Sequence, residues 1–427
     1  MSQFEAASVM LLRLVSSVEP DLSAAMPEQT PAQWAVRWHG VVLFVGLALL
    51  SPLLHLCWHG LAGRTEPLVR TNGTARRPVW SWAAAADGTF QKQLETWLQE
   101  DSPITWLLRG TYRELLWHLG QLQTDHVHVG KDGWLFGRPS LDVDPEVVDG
   151  RAARRQALFA AIAAEARRLG VELLVMVVPD KERVYQDLAY ESGAMPARKA
   201  ELYPRLLREL AAAGLSPIDL ATVLAQARAA GGEPVYQMRD SHWTAPGALL
   251  AATAVAGIVQ QRFGDRIGPP QAPTLVGPQV IDGVEDLVGQ LGMLTMHVQR
   301  PELLDPTIVP ASLTTRALAR SIEYWGVAFP DPSVPGQRLP QSDLAPHAAI
   351  ALAGSSFSRT HGDTALGFAL QRPIDNRWPR SGADSTPTLR ALFDAIARGE
   401  CKAKIVLWEF VERAAIENLQ GPWRASR

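Results

Sequence analysis

The chain has 427 residues, 47% of them apolar, with a formal net charge of −3. That length allows one large α/β domain with appendages or two to three domains, and the charge excludes the basic stripe of a nucleic-acid-binding surface. Two cysteines, Cys57 and Cys401, exclude a disulfide scaffold. Cys57 sits in the most apolar segment, so no intramolecular disulfide is expected and the redox compartment stays open.

Residues 1–36 read as an N-terminal tail with one short apolar patch, Val9 to Val15. From Trp38 to Trp58 no residue carries a full charge. As a helix such a segment spans roughly 30 Å, about one bilayer core, and its terminal tryptophans suit interfacial anchoring. Residues 37–59 therefore read as an uncleaved transmembrane signal anchor, a buried core helix being the alternative. The tail before it is too long for a cleavable signal peptide. Arg37 precedes the segment, whereas Arg64, Arg70, Arg76 and Arg77 follow it. The positive-inside rule, applied to these residues, puts the large domain in the cytoplasm. Residues 60–124 read as a linker and membrane-proximal helical segment, with Leu94, Leu98, Leu107 and Leu115 at roughly helical spacing over 86–120. Five tryptophans (Trp80, Trp82, Trp97, Trp106, Trp117) fall in this stretch. Core packing is the plain reading; sugar stacking and a membrane-proximal role are the alternatives.

From residue 125 to 427 an α/β rhythm sets in. Gly130 to Phe136 reads as a turn and a short strand. Arg151 to Leu169 reads as a helix ended by Gly170. Val171 to Val178 is an apolar strand stopped by Pro179, the pattern of a buried parallel strand. A helix follows over Arg198 to Ala213, with Pro204 either a kink or its true first turn. Pro217 to Leu220 is a short strand and Ala221 to Ala230 a helix. Pro246 opens a helix through Phe263. Residues 264–347, rich in Pro and Gly, read as an irregular insertion that returns to the sheet. Ala348 to Ala353 is a strand, Thr386 to Arg398 a helix and Lys404 to Phe410 a last apolar strand. Strands alternating with helices imply a parallel sheet flanked by helices.

Two stretches carry chemistry. Asp240-Ser241-His242-Trp243 places an acid two residues before a histidine, on a loop that opens a helix. Gly354-Ser355-Ser356-Phe357-Ser358 places serines at the carboxyl end of a strand, where functional residues gather in such sheets. Acid, base and nucleophile are the minimum set for acyl transfer through a serine ester. Ser356 is the candidate nucleophile, His242 the base and Asp240 the acid that orients it. The Ser356 backbone N–H with a neighbouring donor is the expected oxyanion site. Lys181 and Tyr185, after the strand at 171–178, are candidate site-lining residues, with a surface salt bridge and a packing ring as the plain alternatives. Trp243 either walls the pocket, stacks on a sugar or simply packs. Asp125-His126 is the nearest rival acid–histidine pair, and no serine can be assigned to it. Asp240, His242, His361 and Asp363 could make a carboxylate–imidazole metal cluster, a minor alternative because they lack the ligand spacing of a structural zinc site; no metal and no cofactor is expected.

In combination and order, these motifs resemble the SGNH-hydrolase-like polysaccharide O-acetyltransferases of the alginate acetylation type. The resemblance rests on Gly130-Lys131-Asp132-Gly133-Trp134-Leu135-Phe136, Val178-Pro179-Asp180-Lys181 with Tyr185, Asp240-Ser241-His242-Trp243 with Gly247, and Gly354 to Ser358. Val406-Leu407-Trp408-Glu409 with Arg413 adds a fifth stretch. The match covers roughly 125–415. Ser241 stands where the family usually has threonine, and Ser355 where it often has Asp or Thr. The resemblance implies an SGNH-hydrolase-like α/β fold with Asp240, His242 and Ser356 as triad. It also implies a periplasmic catalytic domain held to the inner membrane by an N-terminal anchor. An exopolysaccharide would be the acceptor. A membrane-bound O-acyltransferase would supply acetyl groups, alongside other secretion and acetylation subunits. Ser358, Arg359 and Arg413 are further candidate substrate contacts, the two arginines toward an anionic sugar, with ordinary helix-surface roles as the plainer reading of both arginines. A carbohydrate acetylesterase would use the same triad, and a non-catalytic scaffold subunit would not need it.

Overall fold

The computed structural model describes residues 79–417 except 102, 120, 121, 123, 143, 284, 292–319, 345–347 and 377–381, together with Trp423. The tail and anchor expected at 1–36 and 37–59 lie outside the described residues. Among the described residues, no helix is long and apolar enough to cross a membrane. Two compact units divide the chain, 1–106 and 107–427.

In the first unit, α1 (Trp82–Ala86) opens on Ser81, whose hydroxyl accepts the Ala84 N–H at 3.0 Å. Trp80 packs edge-on against Trp82 and Phe90, with ring centroids 5.7 and 4.9 Å away. Helices α2 (Thr89–Asp101) and α3 (Pro103–His118), the latter mostly in the second unit, occupy the stretch read as helical.

The second unit carries the α/β rhythm. β1 (Val127–Val129) and β2 (Leu135–Gly137) form an antiparallel hairpin. Helix α4 (Pro145–Arg168) starts well before the expected Arg151. The Asp144 carboxylate accepts the Glu146 N–H at 2.9 Å and proline takes the first turn, a start strong enough to carry Gly150 inside the helix. β3 (Glu172–Val178) follows. The helix expected from Arg198 breaks at Glu201, and α5 (Leu202–Ala212) carries Pro204 in its first turn, where a missing N–H is harmless. Next come β4 (Ser216–Asp219), α6 (Leu220–Ala229) and α7 (Ala245–Phe263).

Residues 264–347 are more regular than their composition suggests. Their described part holds β5 (Thr274–Gly283), the short helix α8 (Asp286–Leu291), β6 (Arg320–Pro330) and β7 (Arg338–Pro340). The three strands pair antiparallel in the order β5-β6-β7. Leu275 and Val276 are both exposed on β5, which blurs the inside–outside alternation that marks a half-buried strand. The chain then returns through β8 (Ile350–Ala353), α9 (Asp363–Leu370), β9 (Ile374–Asp375), α10 (Thr386–Ala397), β10 (Ile405–Val411) and α11 (Glu412–Glu417).

The main sheet runs β4-β3-β10-β8-β9 with every pair parallel. Side chains alternate across it. On one face Leu174, Met176, Val178, Ile350, Leu352, Ile405 and Leu407 pack under α7 and α9. On the other, Val175, Val177, Ala351, Ala353, Val406, Trp408 and Phe410 pack under α4, α5 and α10. Helices on both faces leave the carboxyl ends of β3, β8 and β10 together at one edge, where the order of the strands reverses and ligand sites form.

Candidate active site

The base loop leaves α6 and folds back on itself before α7. Tyr236 and Trp243 form an isolated antiparallel bridge, the Gln237 N–H donates to the His242 carbonyl at 3.0 Å, and the Thr244 N–H donates to the Val235 carbonyl at 3.1 Å. That tight loop lets residues two apart meet. Asp240 Oδ1 lies 2.6 Å from His242 Nδ1 and accepts the His242 backbone N–H at 2.9 Å. His242 Nε2 lies 2.8 Å from Ser356 Oγ. Gly247 belongs to this geometry, since a Cβ there would stand 2.1 Å from the Val235 carbonyl oxygen.

Lys181 supports the loop from below. Its ammonium donates to the carbonyls of Leu135, Met238 and Asp240 at 2.7, 2.9 and 3.1 Å, and lies 4.9 Å from the Trp134 ring centroid. Burial pushes the amine down to about 7, against the pull of the Asp286 and Asp240 charges. Three carbonyl acceptors nevertheless call for three hydrogens, and only the protonated amine has them.

The nucleophile turn follows β8. Ser356 starts a helical turn, and the buried Glu409 on β10 gathers the residues around it. Glu409 Oε2 accepts the N–H groups of Ser355 and Ser358 at 2.9 and 3.1 Å and the Ser358 hydroxyl at 2.6 Å; Oε1 accepts the Ser355 hydroxyl at 2.7 Å. Burial pushes the Glu409 carboxyl up, with these hydrogen bonds pulling the other way. Gly354 is needed for the closeness: a Cβ would meet Ser358 Oγ at 2.0 Å. The Ser356 N–H, expected as an oxyanion donor, instead donates to the Gly382 carbonyl at 2.9 Å. The segment leading into α10 folds over the turn and takes that hydrogen.

A second carboxylate reaches the site from the insertion. The Asp286 N–H donates to Asp240 Oδ2 at 2.8 Å, and the Asp286 carboxylate accepts the Ser241 N–H at 2.7 Å and the Ser241 hydroxyl. Its Oδ2 lies 3.7 Å from His242 Nδ1. The placement is fixed by apolar packing, because Leu287, Val288 and Leu291 bury against Leu122, Val127 and Leu135. Burial alone would raise the Asp240 carboxyl, but the bonds from His242 and Asp286 outweigh it and hold it well below the usual carboxylate range. Asp286 is pushed up by burial and then by the Asp240 charge.

The ligating atoms of Asp240, His242 and Asp286 lie within 4.8 Å of one another. Here they serve each other, Ser241 and Ser356. His361 and Asp363 are not part of that cluster: His361 stacks on Tyr324 at 6.1 Å, and Asp363 accepts from the Thr364 N–H at 2.7 Å and from Asn376 at 2.8 Å.

The remaining sequence candidates divide. Trp243 is 1% exposed and its indole N–H donates to the carbonyls of Phe357 and Thr360 at 3.1 and 2.7 Å, so it braces the nucleophile turn and offers no ring face to a sugar. Tyr185 is buried, stacks on Trp134 at 4.3 Å and accepts the Val235 N–H at 3.0 Å. Ser358 is committed to Glu409. Arg359 is exposed. Arg413 donates to Asp180 at 3.0 Å and borders a cavity of about 180 Å³ with Lys181, Ser241 and Asp286. His126, of the rival Asp125-His126 pair, lines the same cavity.

Sequence reasoning named Glu409 only within the stretch carrying the resemblance, without a role, and missed Asp286. Glu409 had a signal, being the lone charge in a strand buried on both faces, where a carboxyl requires partners. Asp286 had none, since it lies in the stretch without periodicity.

Comparison with known proteins bears on this arrangement. Residues 127–412 match the family described as "SGNH hydrolase-like domain, acetyltransferase AlgX". The chain is 27% identical over 356 residues to the "Probable alginate O-acetylase AlgJ" of Pseudomonas aeruginosa, covering 80% of this chain and 85% of that one. It is 24% identical over 338 residues to the Pseudomonas fluorescens protein of the same name, covering 78% and 79%. The solved O-acetyltransferase domain of Pseudomonas putida AlgJ superposes with a TM-score of 0.51 at 23% identity, covering 69% of this chain and 93% of that one, and shares the fold. The chain belongs to the AlgX acetyltransferase family of SGNH hydrolase-like domains.

Proposed function

We propose that this protein acetylates hydroxyl groups of an exopolysaccharide of alginate type through an acetyl-serine on Ser356. The observation that carries this is the unbroken contact from Asp240 through His242 to Ser356, at 2.6 and 2.8 Å. Ser356 Oγ attacks the carbonyl carbon of the donor acetyl group as its proton passes to His242 Nε2. Asp240 holds Nδ1–H and stabilises the imidazolium. Collapse expels the donor's leaving group, which takes the proton from His242. A sugar hydroxyl then gives its proton to His242 and attacks the acetyl carbon, and Ser356 leaves and takes that proton back. Using the Ser356 N–H as an oxyanion donor requires the segment at Gly382 to release it. Arg413 and Arg359 are proposed contacts for an anionic sugar.

The names of the relatives support an alginate-like acceptor. In this reading residues 37–59 anchor the chain in the inner membrane, 60–124 connect, and the catalytic domain at 125–427 works in the periplasm. That topology follows the family resemblance, against the basic residues after the anchor. A membrane-bound O-acyltransferase supplies the acetyl groups, beside other subunits of polysaccharide secretion and acetylation.

The test is purified protein with a chromogenic acetyl ester, then with deacetylated polymer. Hydrolysis lost in Ser356→Ala and His242→Ala, an acetyl adduct by intact mass that depends on Ser356, and net transfer to polymer are the expected results. Acetate release without transfer identifies an esterase. Equal rates in all three proteins, without an adduct, would remove the triad and leave a scaffold.

A further inference from the structure

We propose that Asp286, delivered by the insertion, is a positioning residue for the acid–base pair: it ties the Asp240–Ser241–His242 loop in place and adds a second negative charge beside the imidazole. This rests on the acyl-serine reading above.

Four contacts carry it. The backbone N–H of Asp286 donates to Asp240 Oδ2 at 2.8 Å, so Asp240 keeps Oδ1 turned to the ring. The Asp286 side chain accepts from both the N–H and the hydroxyl of Ser241, the residue between acid and base. Its Oδ2 then stands 3.7 Å from His242 Nδ1, on the same side of the ring as Asp240. An imidazolium formed when Ser356 gives up its proton therefore faces two carboxylates rather than one. The usual role of a triad acid, orientation plus charge, is here divided over two chain segments.

The charged and titratable groups around the pair come from several elements. Asp240 and Asp286 face Nδ1, and Ser356 faces Nε2. His361, on the turn after the nucleophile, senses the His242 charge. Lys181, after β3, senses Asp286, Asp240, Glu182 and Glu285. Arg413, after β10, senses Asp286 beyond its partner Asp180 and Glu182. The cations are bound to other partners, Lys181 to three carbonyls and Arg413 to Asp180, and His242 is the cation nearest the Asp286 carboxylate once it is protonated.

The decisive variant is Asp286→Asn in the full-length protein. The amide oxygen can still accept the Ser241 N–H and the amide nitrogen can donate to its hydroxyl, so shape is kept and charge is lost. A positioning charge predicts that the rising acid limb of the kcat/KM–pH profile moves to lower pH. The plateau kcat falls about tenfold, in keeping with a weaker base, and KM is unchanged. Ser241→Ala, which cuts the hydroxyl tie and leaves the charge, keeps the limb in its wild-type position while lowering kcat. If Asp286→Asn does not fold, Asp286→Ser carries the same test. A limb superposing on that of wild type overturns the proposal. Ser356→Ala, measured in parallel, separates the two levels. Activity persisting in it removes the acyl-serine reading itself, whereas an inactive Ser356→Ala with an unshifted Asp286→Asn removes only the role of Asp286.

Discussion

Replacing Glu409 by leucine and by glutamine should give two different proteins. Glu409 makes no hydrogen bond to Asp240, His242 or Ser356, yet its two oxygens hold four groups on either side of Ser356. Leucine strands the N–H groups of Ser355 and Ser358 in the core. At roughly 1–3 kcal/mol for each buried donor left without a partner, the cost is about 2–6 kcal/mol. Glutamine is milder, because its oxygen can take the Oε2 position and its nitrogen can donate to the Ser355 hydroxyl. What it loses is the charge-assisted part of the bonds, about 1 kcal/mol. The upward push of burial on the Glu409 carboxyl also makes the neutral isostere the gentler change. Activity should follow geometry, and a displacement of about 1 Å at the nucleophile costs on the order of a hundredfold in rate. Guanidinium denaturation and acetyl-ester kcat/KM on the same samples read both effects. Glu409→Gln should retain most of its stability and turnover, with Glu409→Leu losing several kcal/mol and at least a hundredfold in rate. Equal damage from both, or a leucine variant with wild-type activity, would refute the reasoning.

Gly354→Ala should destabilise the protein by about 1–3 kcal/mol and depress ester hydrolysis, because its Cβ meets Ser358 Oγ at 2.0 Å and Ser358 Cβ at 2.3 Å; a fully stable, fully active variant counts against the packing described. Asp240 gives a pH signature. Its carboxyl is lowered in the folded chain, where the bonds from His242 and Asp286 outweigh burial, so its stabilisation is complete above the ordinary value of about 4 and is lost as pH falls through the folded value. The stability difference between wild type and Asp240→Asn should shrink as pH falls below about 4. A difference that stays level into acid contradicts the assignment.

The site was legible where its geometry is local. Asp240 and His242 meet through a loop that contains both, and Ser356 follows a strand whose apolar run is plain in the sequence. Strand-end logic also pointed to Lys181 and Tyr185, but it locates a region, not the direction of a side chain, and both side chains turn inward to hold backbone groups. The two carboxylates that steady the site are remote in sequence. Glu409 pairs across 54 residues with Ser355, and Asp286 across 46 with Asp240. Only the parallel register of β8 on β10, and the apolar seat of α8, bring them in. Sheet topology of that kind is not written in periodicity.

The position of β10 has a consequence for how this molecule comes into being. It lies between β3 and β8 in the sheet, and it is made after both. Until it inserts, the half carrying β3 and β4, which leads into the base loop, and the half carrying β8 and β9, with Ser356, share no strand pairing. The sheet of the nascent domain is thus two incomplete halves, one leading to His242 and one to Ser356. The strand that joins them also brings the glutamate that shapes the nucleophile turn. Under the acyl-serine reading, the site is therefore complete only once residues 405–411 have zipped into the gap and brought Glu409 to Ser355 and Ser358.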